Sequence, residues 1–154
     1  MKMNRYSVEK TYRILRKNKA LDKRYGFRIA FVVSLLDKKI VDRVAREIKF
    51  VVFHSPAIYQ NLSFLKQKAQ IILDFSLFQS SKTLIRETIL HEIAHHILKH
   101  KHKNMITKKE VMAQEQEVFV LVGKWLEKAG LDKTFQKPYA ELNKFMTKKY
   151  GLSK

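Results

Sequence analysis

The sequence predicts a small, helix-rich α+β domain, and three observations carry that reading. Four Gly and two Pro in 154 residues leave too few turn formers for an all-β protein. Apolar residues recur at spacings of three and four along much of the chain, the period of a helix with one buried face. Two short β-type runs, residues 49–54 and 69–75, precede the longest helical patterns and supply a small sheet. A chain of this length buries one core, so residues 1–154 are expected to form a single domain.

Residues 8–24 (VEKTYRILRKNKALDKR) set Tyr12, Ile14, Leu15 and Leu21 among many bases and read as a basic surface helix closed by Gly26. Residues 27–36 are apolar without a clear period, which suits a buried helix or a strand. Residues 37–48 carry Ile40, Val41, Val44 and Ile48 on a sparse helical stripe. KFVVFH, residues 49–54, reads as a strand ended by Ser55-Pro56, and AQIILDF, residues 69–75, as a second, with a loop around 59–66 between them. Ser81 is a suitable N-cap for a helix beginning near Thr83. A basic connection, residues 99–109 (KHKHKNMITKK), leads to a further helix from Glu110 to a stop at Gly130. A last helical pattern, residues 139–150, follows Pro138.

The chain has no cysteine, which excludes disulfides, thiolate metal sites and a Cys nucleophile and leaves His and carboxylates as the strong metal ligands. The opening MKMNRYSVEK carries charges where a signal peptide would be apolar, and the longest apolar run, residues 29–36, is far below a membrane span of ~20 residues. A cytoplasmic location without a membrane span is therefore expected. The formal charge of +18, from 32 Lys+Arg against 14 Asp+Glu, creates a strong positive potential. Nucleic acid, an acidic protein and anionic lipid are candidate partners, and a lysine-biased host proteome accounts for the charge equally well, because no basic motif with interleaved aromatics accompanies it.

The stretch LIRETILHEIAHHILKH, residues 84–100, holds four of the six histidines. His91 and His95 are four apart and share one helix face, where both rings can reach a common ion. Glu92 lies about 100° further round and can reach a water bound to that ion. This is the H-E-x-x-H arrangement, in which two imidazoles hold zinc and the acid takes a proton from the metal-bound water. The competing reading is a surface helix with solvated histidines. Leu84, Leu90, Ile93, Ala94, Ile97 and Leu98 oppose it, because they make a broad apolar band around the pair, and unpartnered imidazoles are costly to bury. His96 and His100 form a second pair turned away from the first and read as solvated or as support for the ligands. His54 and His102 carry weaker signals.

A catalytic zinc takes three protein ligands and keeps one position for water. The extended HExxHxxGxxH pattern is excluded, since positions 98 and 101 are Leu98 and Lys101. In the helix that follows, Val111, Val118, Phe119, Val122 and Leu126 cluster on one side with Glu115 in their middle, while Glu110, Glu117, Lys124 and Lys128 lie opposite. An ionised acid inside an apolar stripe must be paired or metal-bound, which selects Glu115 as third ligand, with a salt bridge to a base such as Arg86 as its alternative role. Glu117 reads as a plain surface charge.

HEIAH on a helix, a strand before it and an acid within Glu115-Gln116-Glu117-Val118-Phe119 resemble the gluzincin zinc metallopeptidases, among them the minigluzincins, the catalytic domains of the HtpX-type peptidases and the ImmA/IrrE-like proteins of mobile elements. The resemblance spans about residues 37–130, leaving the basic helix 8–24 and the extension 138–154 outside it. It implies a zincin-like domain with a short β-sheet beside the HExxH helix and a glutamate-bearing second helix. It also implies Zn²⁺ held by His91, His95 and Glu115, Glu92 as catalytic base, and a strand at 69–75 whose free edge pairs with an extended peptide. One departure stands out: the Asp or Asn that supports a ligand histidine in those families is Phe119 here. Loss of such support costs about 10- to 100-fold in metal affinity or activity.

The expected function is a zinc-dependent metalloendopeptidase, latent or narrow in specificity, acting on a peptide or protein substrate with Glu92 as general base. Tyr59, Tyr139 and His102 are candidate donors to the oxyanion. The alternative is a nucleic-acid- or repressor-associated regulatory protein of a mobile element, in which the zinc site is structural or residual and the basic surface is the working part.

Overall fold

The computed structural model describes residues 4–21, 24–53, 58–60, 68–101 and 105–131. Among them run α1 (Val8–Lys17), α2 (Gly26–Val33), α3 (Lys38–Glu47), β1 (Ile48–Phe53), β2 (Ile58–Gln60), β3 (Ala69–Asp74), a 3-10 turn over Phe75–Gln79, α4 (Lys82–Ile97) and α5 (Lys108–Lys128). The helix-rich α+β class holds. The pattern at 139–150, His54, His102, Tyr139 and the side chain of Tyr59 lie outside the described residues.

Helix starts follow their caps. The Ser7, Ser81 and Thr107 hydroxyls accept the N–H groups of Lys10, Leu84 and Glu110 at 3.2 Å each. Thr107 and Glu110 complete a reciprocal capping box, satisfying two amides that the first turn of α5 would otherwise leave open. Helix ends are less legible. The N–H groups of Ala20, His100 and Leu131 return to the carbonyls of Leu15, His95 and Leu126 at 2.9, 3.1 and 3.0 Å, so α1, α4 and α5 all close in the same Schellman turn. The left-handed residue of that turn is Gly130 after α5, but Lys19 and Lys99 after α1 and α4. This corrects the expected helix 8–24: α1 stops at Lys17 because Lys19 takes the glycine's role, and Gly26 opens α2 instead of closing α1. Residues 27–36, ambiguous in sequence, are mainly helix α2, with Ile29, Ala30, Val32 and Val33 buried.

β3 is the central strand of a sheet ordered β1-β3-β2. It runs parallel to β1 from Ile48↔Ala69 to Phe53↔Asp74 and antiparallel to β2 from Ile58↔Ile72 to Gln60↔Gln70. The strand at 69–75 therefore has no free edge where β1 and β2 flank it, which corrects the expectation that it receives a peptide. Among the described residues the edges belong to β1 and β2, and on β1 the Phe50 N–H already donates to Ala20 O at 2.7 Å. Ile48, Phe50, Ile71 and Leu73 alternate onto one buried face and join the core with residues of α2, α3, α4 and α5. The Lys68 ammonium fastens this end of the sheet by donating to the carbonyls of Asn18 and Ala45. Among the described residues no helix is long and apolar enough to cross a membrane.

The two phenylalanines of β1 test this arrangement, because Phe50 is fully buried and Phe53 is 62% exposed. Phe50→Ala should cost about 3–5 kcal/mol of stability in urea unfolding. Phe53→Ala should cost under about 1 kcal/mol, since little of its surface leaves water. Equal losses would place the core on the wrong face of the strand.

Candidate metal centre

α4 touches α2, α5, β2 and β3, so it is covered on several sides. That surrounding suits its composition: Ile85, Ile89, Leu90, Ile93 and Ala94 are buried in a broad band that covers about half of its circumference. Leu84 departs from the expected band and is 42% exposed, at the open first turn. His95 is buried and His91 half-buried on the side that meets α5.

On α5 the apolar stripe Val111, Val118, Val122, Trp125 and Leu126 is buried, and Glu115 is buried with it. Its Oε2 lies 3.1 Å from His91 Nε2 and its Oε1 3.2 Å from His95 Nε2, while the two Nε2 atoms are 3.1 Å apart. With one donor atom from each residue, all three lie within 4.8 Å of one another, and the group can hold a metal ion. Around a tetrahedral centre with bonds of ~2.0–2.1 Å, neighbouring donors are separated by roughly 3.3 Å, close to these contacts. The chemistry of the set fits as well. A proton on either ring serves one or two of the three contacts, whereas one cation between them serves every lone pair. Two imidazoles and a carboxylate suit a borderline transition metal. Arg86, the alternative partner for Glu115, lies instead 3.8 Å from Glu87.

Burial alone would raise the Glu115 carboxyl, but hydrogen bonds from His91 and His95, and the charges of those rings, hold it well below the usual carboxylate range. It is therefore an anion at neutral pH, as a ligand must be. Glu92 follows His91 on α4 and is half-buried beside the pair. Phe119, one turn after Glu115, packs its half-buried ring against the hydrophobic core.

The other two histidines of α4 and its terminal turn are engaged by carboxylates. His96 Nε2 meets Glu47 Oε2 of α3 at 2.6 Å, and the same oxygen accepts from Arg43 Nε at 3.0 Å. Burial pushes the His96 ring pKa down despite Glu47. For Glu47, burial works upward but is outweighed by the hydrogen bonds and charges of His96 and Arg43, so its pKa falls. His100 is buried, with Nδ1 2.9 Å from His95 Nδ1 and Nε2 2.8 Å from Glu117 Oε2. Glu117 is exposed, as its helix face predicts, yet it is no plain surface charge. The sequence signal for this contact is faint: His100 follows a Schellman turn with lysine in the glycine position, and Glu117 lies on the outer face of α5. Gln114 holds the same turn, its amide donating to Lys101 O and accepting from Lys101 N–H at 3.3 and 3.2 Å.

Compared with protein-family models, with curated proteins and with solved structures, the chain matches none. The site accordingly rests on its own geometry.

Metal analysis should find about one transition-metal ion per chain after incubation with zinc or cobalt, because three convergent donors define one site. His91→Ala, His95→Ala and Glu115→Ala should abolish it, whereas His96→Ala, tied to Glu47, should keep it. Retention in all four variants would dismiss the ligand set. The metal-free protein should also lose stability on acidification. His96 and Glu47 both bind protons less readily when folded, so unfolded chains take up more protons as pH falls below 6.5 for the ring and then below 4.5 for the acid. His96→Gln should flatten the upper part of that decline in urea midpoints. An unchanged slope would remove His96 from the effect.

Proposed function

We propose that this protein is a zinc-dependent metalloendopeptidase with a zincin-like fold, of the gluzincin kind that its HEIAH motif resembles. One observation carries the reading: a helix bearing His91, Glu92 and His95 meets a second helix whose buried Glu115 reaches both rings at 3.1 and 3.2 Å. His91, His95 and Glu115 would hold the ion, and Glu115 supplies a negative charge that offsets one of the ion's two positive charges. Bound zinc supplies an acidified water and polarises the scissile carbonyl. Glu92 takes the proton of the attacking water and passes it to the departing amine, work for which it needs proximity and not coordination. The cytoplasmic setting expected from the sequence belongs to the same reading. The substrate is a peptide or protein, and because β1 and β2 flank β3, an extended chain would approach along an outer strand.

A second reading, a regulatory protein working through nucleic acid, draws on the basic face of α1, where Lys10, Arg13 and Lys17 line one shallow hollow within a chain of net charge +18. Its sign would be DNA or RNA binding that weakens steeply with salt and survives loss of Glu92.

Glu92→Gln decides for or against the peptidase. The variant should retain the ion and the fold but lose peptide hydrolysis by at least ~10², the lower end for removal of a general base. Cleavage that persists in the variant, or an ion lost with it, would refute the assignment.

A further inference from the structure

We infer that His100 and Glu117 form a positioning relay that fixes the tautomer and orientation of His95. The inference rests on the metal-site reading above and concerns residues outside the ligand set. If His95 presents Nε2 to an ion, that nitrogen must be unprotonated and its one N–H sits on Nδ1. Nδ1 faces His100 Nδ1 at 2.9 Å, so it donates there and His100 must accept. A neutral His100 then carries its own proton on Nε2, which donates to Glu117 Oε2 at 2.8 Å.

The reverse arrangement fails at its outer end. With both protons shifted, His100 Nε2 would be an acceptor facing an ionised carboxylate, which can only accept. With an ion taking up Glu115 at the inner end, Glu117 at the outer end selects between the two tautomers, and the selected one turns the His95 Nε2 lone pair to that ion. The chain's construction makes the contact. The Schellman turn brings His100 back over His95, with ring centroids 5.1 Å apart at an interplanar angle of 69°. Gln114 binds the next residue of that turn, Lys101, so α5 holds both ends of the relay together with the ligand Glu115.

Zinc affinity of the full chain, measured by competition with a chelator, tests the relay. His100→Phe retains ring bulk in a buried position but removes both nitrogens, and should weaken zinc by about 10- to 100-fold, the usual cost of losing a ligand's supporting partner. Glu117→Ala alters only an exposed side chain and should weaken it by roughly 10-fold on the same ground. The double variant should bind no more weakly than His100→Phe alone, because Glu117 acts through His100. An undiminished further loss in the double variant would show a plain long-range charge effect and overturn the relay. Wild-type affinity in both single variants would overturn it too, leaving the ligand set standing. If instead the wild type binds no zinc, or His91→Ala binds it equally well, the ligand reading fails and the relay fails with it. Should circular dichroism show His100→Phe unfolded, Glu117→Gln decides. The relay requires this variant, which keeps an acceptor oxygen, to bind more tightly than Glu117→Ala, and equal weakening would overturn it.

Discussion

A carboxylate buried among valines is the constraint on which the rest of this molecule turns. Glu115 occupies the middle of the α5 stripe that packs into the core, flanked by Val111 and Val118. An ionised acid there is tolerable only with partners that offset the loss of water. Those partners are His91 and His95, and their position dictates how α4 and α5 must lie against each other. Hydrophobic contact alone is non-directional and would accept several rotations of α5 about its axis. The need to place one acid within reach of two ring nitrogens accepts very few.

The same demand propagates outward. Nitrogens turned toward Glu115 leave the opposite side of the His95 ring to be satisfied, and His100 meets it. His100 is available because α4 ends in a turn that folds the chain back over its own last residues. His96, which points elsewhere, is anchored by Glu47, so α3 contributes to α4 through a polar contact as well as through packing. His91, His95, Glu115, His100 and Glu117 form one connected polar set and His96, Glu47 and Arg43 another, and satisfied networks of this kind help to specify one arrangement of helices.

Much of the architecture was legible in advance because it follows local rules. Ser81 begins α4 as an oxygen cap does, Gly130 ends α5, and β-branched runs become β1 and β3. Two features that were not legible share a cause. Lys19 and Lys99 hold left-handed backbone that a single sequence assigns to glycine, so the end of α1 was read too far along and the position of His100 stayed hidden. The edge status of β3 was equally out of reach, since strand order depends on which segments meet across long separations.

By itself the sequence determined the helix-rich α+β class, the shared face of His91 and His95, and the burial of Glu115, because each follows from the 3.6-residue period acting on neighbours along one helix. Tertiary structure alone decided what those groups meet. It brought Glu115 to the two rings, set Glu117 against His100 and Glu47 against His96, and put β3 between two strands. The physical reason is that periodicity fixes direction around one helix axis, whereas contact between elements depends on how helices rotate and cross, and that is settled only when their buried surfaces and polar groups are satisfied together.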